Sequence, residues 1–202
     1  MSGVPILVEG AALPVLVVGG GSVAVRKASA LANAGAAVRV VARRATDDMR
    51  ALAQAGRVSL TERDYETGDI ADALLVVAAT DDRSVNATIA AHARAASRLV
   101  NVADLPDDGT FATMAAHRAG ALVIGVSAGG VPGAAARIRD AIAARFDGRY
   151  ALALAGLATL RRSLLDRGDT TSWRAVSSDV LDVDFCEAVE HDTLDARVAA
   201  WR

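Results

Sequence analysis

Five short apolar runs, separated by alanine-rich stretches, occupy the first half of the chain and restrict its fold more than any other feature. The runs lie at residues 15–18, 38–41, 58–61, 74–79 and 99–102. Most are continuously apolar, which is typical of parallel strands buried on both faces. The stretches between them predict helices at residues 23–34, 47–55 and 84–96. Alternation of this kind predicts an α/β fold built on a Rossmann-type doubly wound parallel sheet.

The pattern changes after about residue 110. Residues 110–115 and 121–127 predict two further strands, separated by a turn at residues 117–120. From Gly133 onward the sequence is helical in character, most clearly at residues 137–146 and 150–165. The predicted organisation is therefore a Rossmann-type domain, a small strand-containing region and a C-terminal helical domain, at residues 1–113, 114–149 and 150–202.

The balance of charges and the cysteine content argue against several classes of protein. Lys and Arg number 22 against 24 Asp and Glu, so the basic excess of a nucleic-acid-binding protein is absent. The single cysteine, Cys186, permits no internal disulfide and no cysteine-rich metal site. The histidines, His92, His117 and His191, are not paired at the spacing of metal ligands, and we expect no resident metal. No segment is typical of a secretion signal or a membrane span, so we expect a cytoplasmic protein that contacts no membrane.

A glycine-rich loop follows the first predicted strand and leads into the first predicted helix. It fits the dinucleotide-binding pattern G-x-G-x-x-A, in which Gly19 makes the tight turn and Gly21 lets a pyrophosphate approach the backbone. Ala24 allows the helix to pack closely on the strand. The N–H groups of Ser22 and Val23, at the positive end of the helix, would face the phosphates. The loop predicts NAD(P) binding; the alternative is a glycine-rich turn without a ligand.

Two other strand ends carry polar residues that could contact the cofactor. The second strand lacks the acidic residue that binds the adenosine ribose and is followed by Arg43 and Arg44. These arginines could hold the 2′-phosphate of NADP or could be solvated, so the choice between NAD and NADP stays open. Thr80 follows the fourth strand and is placed to contact the nicotinamide side of the cofactor, although Thr80 or Asp82 could instead cap the next helix.

Four segments, in order along the chain, resemble one known family. Residues 19–27, 78–86 and 101–104 are similar to the GGGxVAxRK, AATDDxxVN and NVxD segments of the precorrin-2 dehydrogenase/sirohydrochlorin ferrochelatase family, which forms the N-terminal part of siroheme synthase. Residues 127–130 followed by Arg137 resemble its SxGG…AR segment.

The resemblance implies an activity and an assembly. Members of the family oxidise precorrin-2 to sirohydrochlorin by hydride transfer to NAD, and some then insert ferrous iron as a second substrate to give siroheme. They are homodimers, in which the region corresponding to residues 114–149 contributes to dimerisation and to the tetrapyrrole cleft. The resemblance therefore implies an oxidoreductase with NAD as cofactor, and NADP stays an alternative.

The resemblance also implies roles for particular residues. Asp104 would be the catalytic acid–base residue, and Asn101 of the same segment would bind the cofactor. Ser127 and Arg137 would bind the carboxylate-rich substrate. Independently of the family, Asp104 lies just past the fifth predicted strand, at the edge of the sheet where ligands bind, two residues before Pro106. The alternative role for Asp104 is to cap a turn.

The chain departs from the family in the region expected to contact the tetrapyrrole. Phe111 is not followed by the usual proline, and Ala128 replaces a serine. These differences leave iron insertion open.

Two other functions are alternatives to the dehydrogenase. A non-catalytic NAD(P)-sensing regulatory subunit would explain the glycine loop but not Asp104. A dehydrogenase for another small acid would need a histidine or lysine near the cleft, and the single lysine, Lys27, lies in the first predicted helix.

Overall fold

The computed structural model describes residues 3–201. The chain divides into two compact units, the first ending at Thr113 and the second beginning at Met114. The two regions predicted at residues 114–149 and 150–202 both lie within the second unit. Within residues 3–201, no helix is both long enough and apolar enough to cross a membrane.

The first unit is a five-stranded parallel sheet with helices on both faces. Its strands are β1 (Pro14–Val18), β2 (Ala37–Ala42), β3 (Ser59–Glu62), β4 (Leu75–Ala78) and β5 (Leu99–Val102). Its helices are α1 (Ser22–Asn33), α2 (Asp47–Gln54) and α3 (Arg83–Ala95). The strand order is β3-β2-β1-β4-β5, and every neighbouring pair is parallel. This order, in which the chain reverses direction across the sheet after β3, confirms the predicted Rossmann-type doubly wound fold.

The apolar runs of β1, β2 and β4 are nearly continuous because these interior strands bury both of their faces, whereas the edge strand β3 is largely exposed. Val17 packs in the cluster that β1 forms with α1 and α2, whereas its neighbour Leu16 packs in the cluster on the α3 side. Both side chains are fully buried. Helix α1 contributes Ala24 and Ala28, which are also fully buried, and their small size lets the helix lie close to the sheet. The close packing fixes the glycine-rich end of α1 against the end of β1.

The second unit combines a two-stranded antiparallel sheet with five helices in the described part of the chain. The strands are β6 (Ala115–Ala119) and β7 (Leu122–Val126). The helices are α4 (Pro132–Arg145), α5 (Gly148–Asp166), α6 (Thr170–Val180), α7 (Phe185–Glu190) and α8 (Leu194–Ala199). Leu157 and Leu160 of α5, Val176 of α6, Val189 of α7 and Val198 of α8 share one apolar core. This core makes α5–α8 a single packed layer.

The predicted strand at residues 110–115 is wrong, as is the predicted turn at residues 117–120. The strand that forms in this region is β6, which begins only at Ala115. The turn that follows it is centred on Gly120, which has a φ of +58°. Residues 110 and 111 instead run along the free edge of β5. The backbone N–H groups of Thr110 and Phe111 donate to the carbonyl of Val100 at 2.7 and 3.3 Å, and the Thr110 hydroxyl accepts the Val100 N–H at 2.8 Å. The apolar side chain at residue 111 therefore packs against the core of the first unit, to which it belongs.

A buried carboxylate ties together three elements on the β2–β3 side of the sheet. Asp69, in the 3-10 helical turn Thr67–Ile70, is 5 % exposed. It accepts hydrogen bonds from Arg63 at 2.5 and 2.8 Å, from Arg39 at 3.3 Å and from the backbone N–H of Glu66 at 2.9 Å. The hydrogen bonds from Arg63, followed by the smaller effects of Glu66 and Arg39, hold the pKa of Asp69 below its ordinary value of 3.8.

The Asp69→Asn variant is expected to lose about 2 kcal/mol of unfolding free energy at pH 7. Removing the negative charge of Asp69 leaves Arg39 and Arg63 without their ion-pair partner. Since folding lowers this pKa, the stabilisation is present above the unfolded-state value of about 3.9 and is lost as the pH falls through the folded-state value. Urea denaturation of both proteins at pH 7 and below pH 3 measures the difference, which should shrink in acid. Asp72→Asn, at an exposed acid nearby, is the control. Equal stability of the Asp69 variant and the wild type at pH 7 would contradict this account.

Candidate functional site

A cleft of about 530 Å³ lies where the carboxyl ends of the parallel strands meet. The lining comes from the loops after all five strands, at residues 18–23, 42–46, 63–65, 79–82, 85, 103 and 104. In open α/β sheets of this order, ligands bind outside the carboxyl ends of the strands, near the point where the strand order reverses. The cleft therefore has the position expected of a dinucleotide site.

Two of the three loop glycines are required by the packing of the protein itself. Gly19 has a φ of +129°, and a Cβ there would overlap the backbone carbonyl of Ala79 at the end of β4. A Cβ on Gly20 would overlap the backbone carbonyl of Arg44 in the loop after β2. The Gly20 carbonyl also accepts the N–H and the hydroxyl of Thr46, each at 3.0 Å. These contacts hold the glycine loop against its two neighbouring loops.

Gly21 differs, because a Cβ there would meet no atom within 4 Å. It is the N-cap residue of α1, and no side chain caps this helix end. The next residues, Ser22 and Val23, are exposed and line the cleft. Open space beside uncapped N–H groups, at the positive end of a helix, fits the pyrophosphate of a dinucleotide. Helix α3 offers no such space, since the Asp82 carboxylate caps it.

The part of the cleft beside β2 and β3 carries opposite charges. Arg43 and Arg44 follow β2, and both are exposed in the lining. The Arg43 Nε donates to Asp64 Oδ1 at 2.6 Å, and this bond raises the pKa of Arg43. Asp64 was not predicted from sequence because an acid is expected after the second strand of such a sheet, whereas Asp64 follows the third. The available signal was that neighbouring parallel strands end at the same edge of the sheet.

The loop after β4 places Thr80 in the lining and Asp82 at the start of α3. Asp82 Oδ1 accepts the N–H groups of Ser84 and Val85 at 2.8 and 3.3 Å, so Asp82 has the capping role that the sequence left open between it and Thr80. The Thr80 hydroxyl lies 2.7 Å from Oδ1 of Asn86 and accepts the Asp82 N–H at 3.2 Å. Contact of Thr80 with a nicotinamide stays a prediction.

Asp104 lies in the same cleft, and its side chain is 30 % exposed. Its Oδ1 accepts a hydrogen bond from Asn86 Nδ2 at 2.9 Å, and its Oδ2 lies 3.5 Å from Nε of Arg83. A partly exposed carboxylate held by nitrogen donors beside a cofactor cleft can accept a proton from a bound substrate. The predicted acid–base residue and the predicted cofactor-binding loop therefore line the same cleft, within the first unit.

Asn86 is a second residue that the sequence analysis did not identify as functional. It shares the buried face of α3 with Ile89, Ala90 and Ala93, and its side chain is 1 % exposed. A polar residue on an otherwise apolar helix face was the signal that could have identified it, because a buried amide needs specific hydrogen-bond partners.

Asn101 lies on β5 and is 7 % exposed. It is not among the residues that line the cleft. Its Nδ2 donates to the backbone carbonyl of Phe111 at 3.0 Å, and its buried Oδ1 has no partner among residues 3–201. The geometry gives Asn101 a bond to the segment that follows β5, and contact with the cofactor stays a prediction.

The two predicted substrate-binding residues belong to the second unit. Ser127 directly follows β7 and precedes a turn at Gly129 and Gly130, both at positive φ, and Arg137 lies on α4. The side chains of Ser127 and Arg137 are both exposed. Their contact with a substrate stays a prediction. Across the described chain, no group of three or more His, Cys, Asp or Glu side chains is arranged to hold a metal ion.

The sheet order and the uncapped glycine loop define a Rossmann-type dinucleotide-binding protein. The family model NAD_binding_7, described as NAD(P)-binding, matches residues 6–115. The chain belongs to this NAD(P)-binding family.

The chain is also similar in sequence to siroheme synthases. It is 45 % identical over 144 residues to the siroheme synthase of Pseudomonas entomophila, an alignment that covers 71 % of this chain and 31 % of that protein. It is 42 % identical over 137 residues to the siroheme synthase of Methylococcus capsulatus, covering 68 % of this chain and 29 % of that protein. The relationship to siroheme synthase predicted from the four motifs is confirmed. The chain matches less than a third of the length of these curated relatives.

A solved structure has the same fold. SirC, a precorrin-2 dehydrogenase, matches with a TM-score of 0.76 and 22 % sequence identity, covering 98 % of this chain and 98 % of that chain. The match confirms the predicted architecture of a Rossmann-type sheet followed by a small strand pair and C-terminal helices.

Proposed function

We propose that this protein is a precorrin-2 dehydrogenase, which oxidises precorrin-2 to sirohydrochlorin with an NAD(P) cofactor. The observation that carries the proposal is the position of the Asp104 carboxylate in the same cleft as the uncapped glycine loop. The names of the siroheme synthase relatives and of SirC support this choice of substrate. Ser127 and Arg137 are proposed to bind substrate carboxylates, since a serine hydroxyl and a guanidinium are both donors.

The residues that line the cleft fit an NAD(P) cofactor, and different residues would bind the cofactor and accept the proton. Gly21, Ser22 and Val23 would hold the pyrophosphate through backbone N–H groups, and Thr80 would contact the nicotinamide side. When bound, the nicotinamide accepts a hydride from the substrate. The oxidation removes a hydride and a proton, and Asp104 accepts the proton. Asp104 must therefore be ionised at the start of each turnover, and its release of the proton to solvent completes the cycle.

We further propose that NAD is preferred over NADP, because carboxylates outnumber arginines in the cleft. The charged lining residues are Arg43, Arg44, Arg63, Asp64, Asp81, Asp82 and Asp104. Arg63 is already paired with the buried Asp69, and Arg43 with Asp64. Since the adenosine ribose lies near the end of β2 in such folds, the additional phosphate of NADP would lie close to the Asp64 carboxylate. A ribose hydroxyl could instead donate to it.

The Asp64→Asn variant is expected to raise kcat/KM for NADP by about 5- to 10-fold relative to that for NAD, because it removes one exposed negative charge and releases Arg43. The measurement is initial rate against each nucleotide at low ionic strength, where the difference should be largest. Asp47→Asn, which removes an exposed acid outside the lining, should leave the preference unchanged. An unaltered preference in the Asp64 variant would exclude this account of cofactor choice.

The proposed activity is tested under anaerobic conditions with purified protein, freshly prepared precorrin-2 and either nucleotide. Reduced nucleotide and the sirohydrochlorin spectrum should appear together in equal amounts. No turnover with either nucleotide, in folded protein shown to bind dinucleotide, would overturn the proposal and favour a non-catalytic NAD(P)-sensing subunit. Iron insertion stays a separate prediction, measured by adding ferrous iron as substrate to the sirohydrochlorin formed.

We also propose a homodimer formed through the second unit. Large apolar side chains are exposed there, including Leu152 on α5 (77 %), Val131 before α4 (58 %) and Ile138 on α4 (48 %). Exposed apolar side chains of this size would become buried at a protein–protein interface, which is the basis of the proposal. Light scattering coupled to size-exclusion chromatography should give twice the mass of one chain, and a monomer at micromolar concentration would contradict the proposal.

A further inference from the structure

Asn86 connects two parts of the cleft through the hydrogen bonds of its side-chain amide. Its Oδ1 accepts the backbone N–H of Thr80 at 3.1 Å and lies 2.7 Å from the Thr80 hydroxyl oxygen. Its Nδ2 donates to the Thr80 carbonyl at 3.2 Å and to Oδ1 of Asp104 at 2.9 Å. A primary amide has two N–H donors and two acceptor positions. Both donors and one acceptor position are engaged here, and the single Thr80 hydroxyl proton can go to Asn86 Oδ1 or to the Asp82 carbonyl at 3.0 Å.

These partners determine which way the amide is turned. If its oxygen and nitrogen were exchanged, the oxygen would face the Asp104 carboxylate and the nitrogen would face the Thr80 N–H. Both new contacts would be repulsive. Because Asn86 is 1 % exposed, water cannot replace the lost bonds. The amide therefore holds one oxygen of Asp104 at a fixed place relative to the Thr80 backbone.

The second oxygen of the carboxylate is held less firmly. Asp104 Oδ2 lies 3.5 Å from Nε of Arg83, whose side chain is 85 % exposed. An exposed ion pair at this distance contributes little to the orientation of its members. Of the two nitrogen donors, Asn86 is the one fixed by burial.

We propose that Asn86 is a positioning residue for precorrin-2 oxidation. It holds the Asp104 carboxylate at a fixed place relative to the Thr80 backbone, so that the proton acceptor is correctly oriented in the cleft. This inference rests on the proposed function, but Asn86 itself is not among the residues that line the cleft. Displacement of a reacting group by about 1 Å can reduce the rate about 100-fold, so a positioning amide has a measurable effect.

The kinetic test separates turnover from cofactor binding. Asn86→Ala is expected to lower kcat by about 10- to 100-fold while leaving the Kd for NAD unchanged in calorimetric titration. Asn86→Ser keeps a hydroxyl near Thr80 and serves as the second variant if the alanine protein does not fold. The control is Ile89→Ala, which removes a buried side chain one turn further along α3. The control should lose thermal stability and keep its kcat, whereas a full kcat in the folded Asn86 variants would overturn the inference.

Crystal structures of the wild type and an Asn86 variant provide a readout that does not depend on activity. In the variant, Asp104 should adopt a different side-chain rotamer while Gly19, Gly20 and Gly21 keep their conformation. An Asp104 orientation identical in the two crystals would overturn the inference, even if kcat fell. If the wild type fails to oxidise precorrin-2, the proposed function fails, and the crystallographic comparison still decides whether Asn86 positions Asp104.

Discussion

Replacing Asp104 with alanine is expected to lower kcat for precorrin-2 oxidation by about 10²- to 10⁴-fold, the range found when a positioned general base is removed. The affinity for NAD should change little, because the part of the cleft proposed to bind the phosphates is the loop after β1, which does not include Asp104. Single-turnover rates measured anaerobically, together with calorimetric titration of NAD, separate the two quantities. Asp104→Asn should show a similar loss, since its amide keeps the shape of the carboxylate but cannot accept the proton.

Asp107→Ala is the matched control for the Asp104 variants. Asp107 is an exposed acid three residues further along, in the 3-10 helical turn Pro106–Asp108, and it is not part of the cleft lining. Its removal should leave kcat and NAD affinity unchanged. If the two alanine variants lost activity equally, or if neither did, Asp104 would not be the proton acceptor.

The second large effect is expected at Gly21, whose alanine variant should fold normally and bind NAD about 10- to 100-fold more weakly. The added methyl group meets no protein atom within 4 Å, so the free energy of unfolding should be nearly unchanged. It would occupy the space proposed for the pyrophosphate and displace it from the N–H groups of α1. Loss of one charge-assisted hydrogen bond, at about 1.5–3 kcal/mol, corresponds to this range of affinities.

Gly19→Ala provides the contrast within the same loop. It combines a left-handed backbone conformation with overlap of the Ala79 carbonyl, and we expect it to destabilise the fold by about 3 kcal/mol or more. Thermal denaturation and NAD titration of the two variants should therefore show opposite patterns. A Gly21 variant that binds NAD normally would remove the argument that this loop holds the pyrophosphate.

The first unit could be predicted from sequence because four of its five strands are built from valine-containing apolar runs that have few other ways to become buried. The same reasoning failed at β6, whose residues (AAHRA) carry little of the β-branched character of strands. The strand forms through its antiparallel pairing with β7, which is a tertiary property. Residues 110–115 looked more strand-like, but Thr110 and Phe111 bond to β5 instead.

The site was predictable to the extent that its residues follow strands directly. Gly19, Gly21 and Asp104 could be placed at one edge of the sheet because parallel strands all end there. Asp64 follows β3 and carried the same signal, whereas Asn86 could not be identified from a strand end, since its importance comes from a side-chain partner 18 residues away along the chain. No periodicity in the sequence specifies such partners.

The hydrogen bonds that Thr110 and Phe111 make to Val100 have a consequence for solubility. A parallel sheet of this kind has two open sides, each able to recruit a strand from another molecule and so to begin aggregation. On the β5 side, these bonds occupy the N–H and carbonyl of Val100, groups that an incoming strand would need. On the opposite side, β3 has only four residues and ends in the charged Glu62. Both borders of an otherwise valine-rich sheet are thus poor templates for intermolecular pairing.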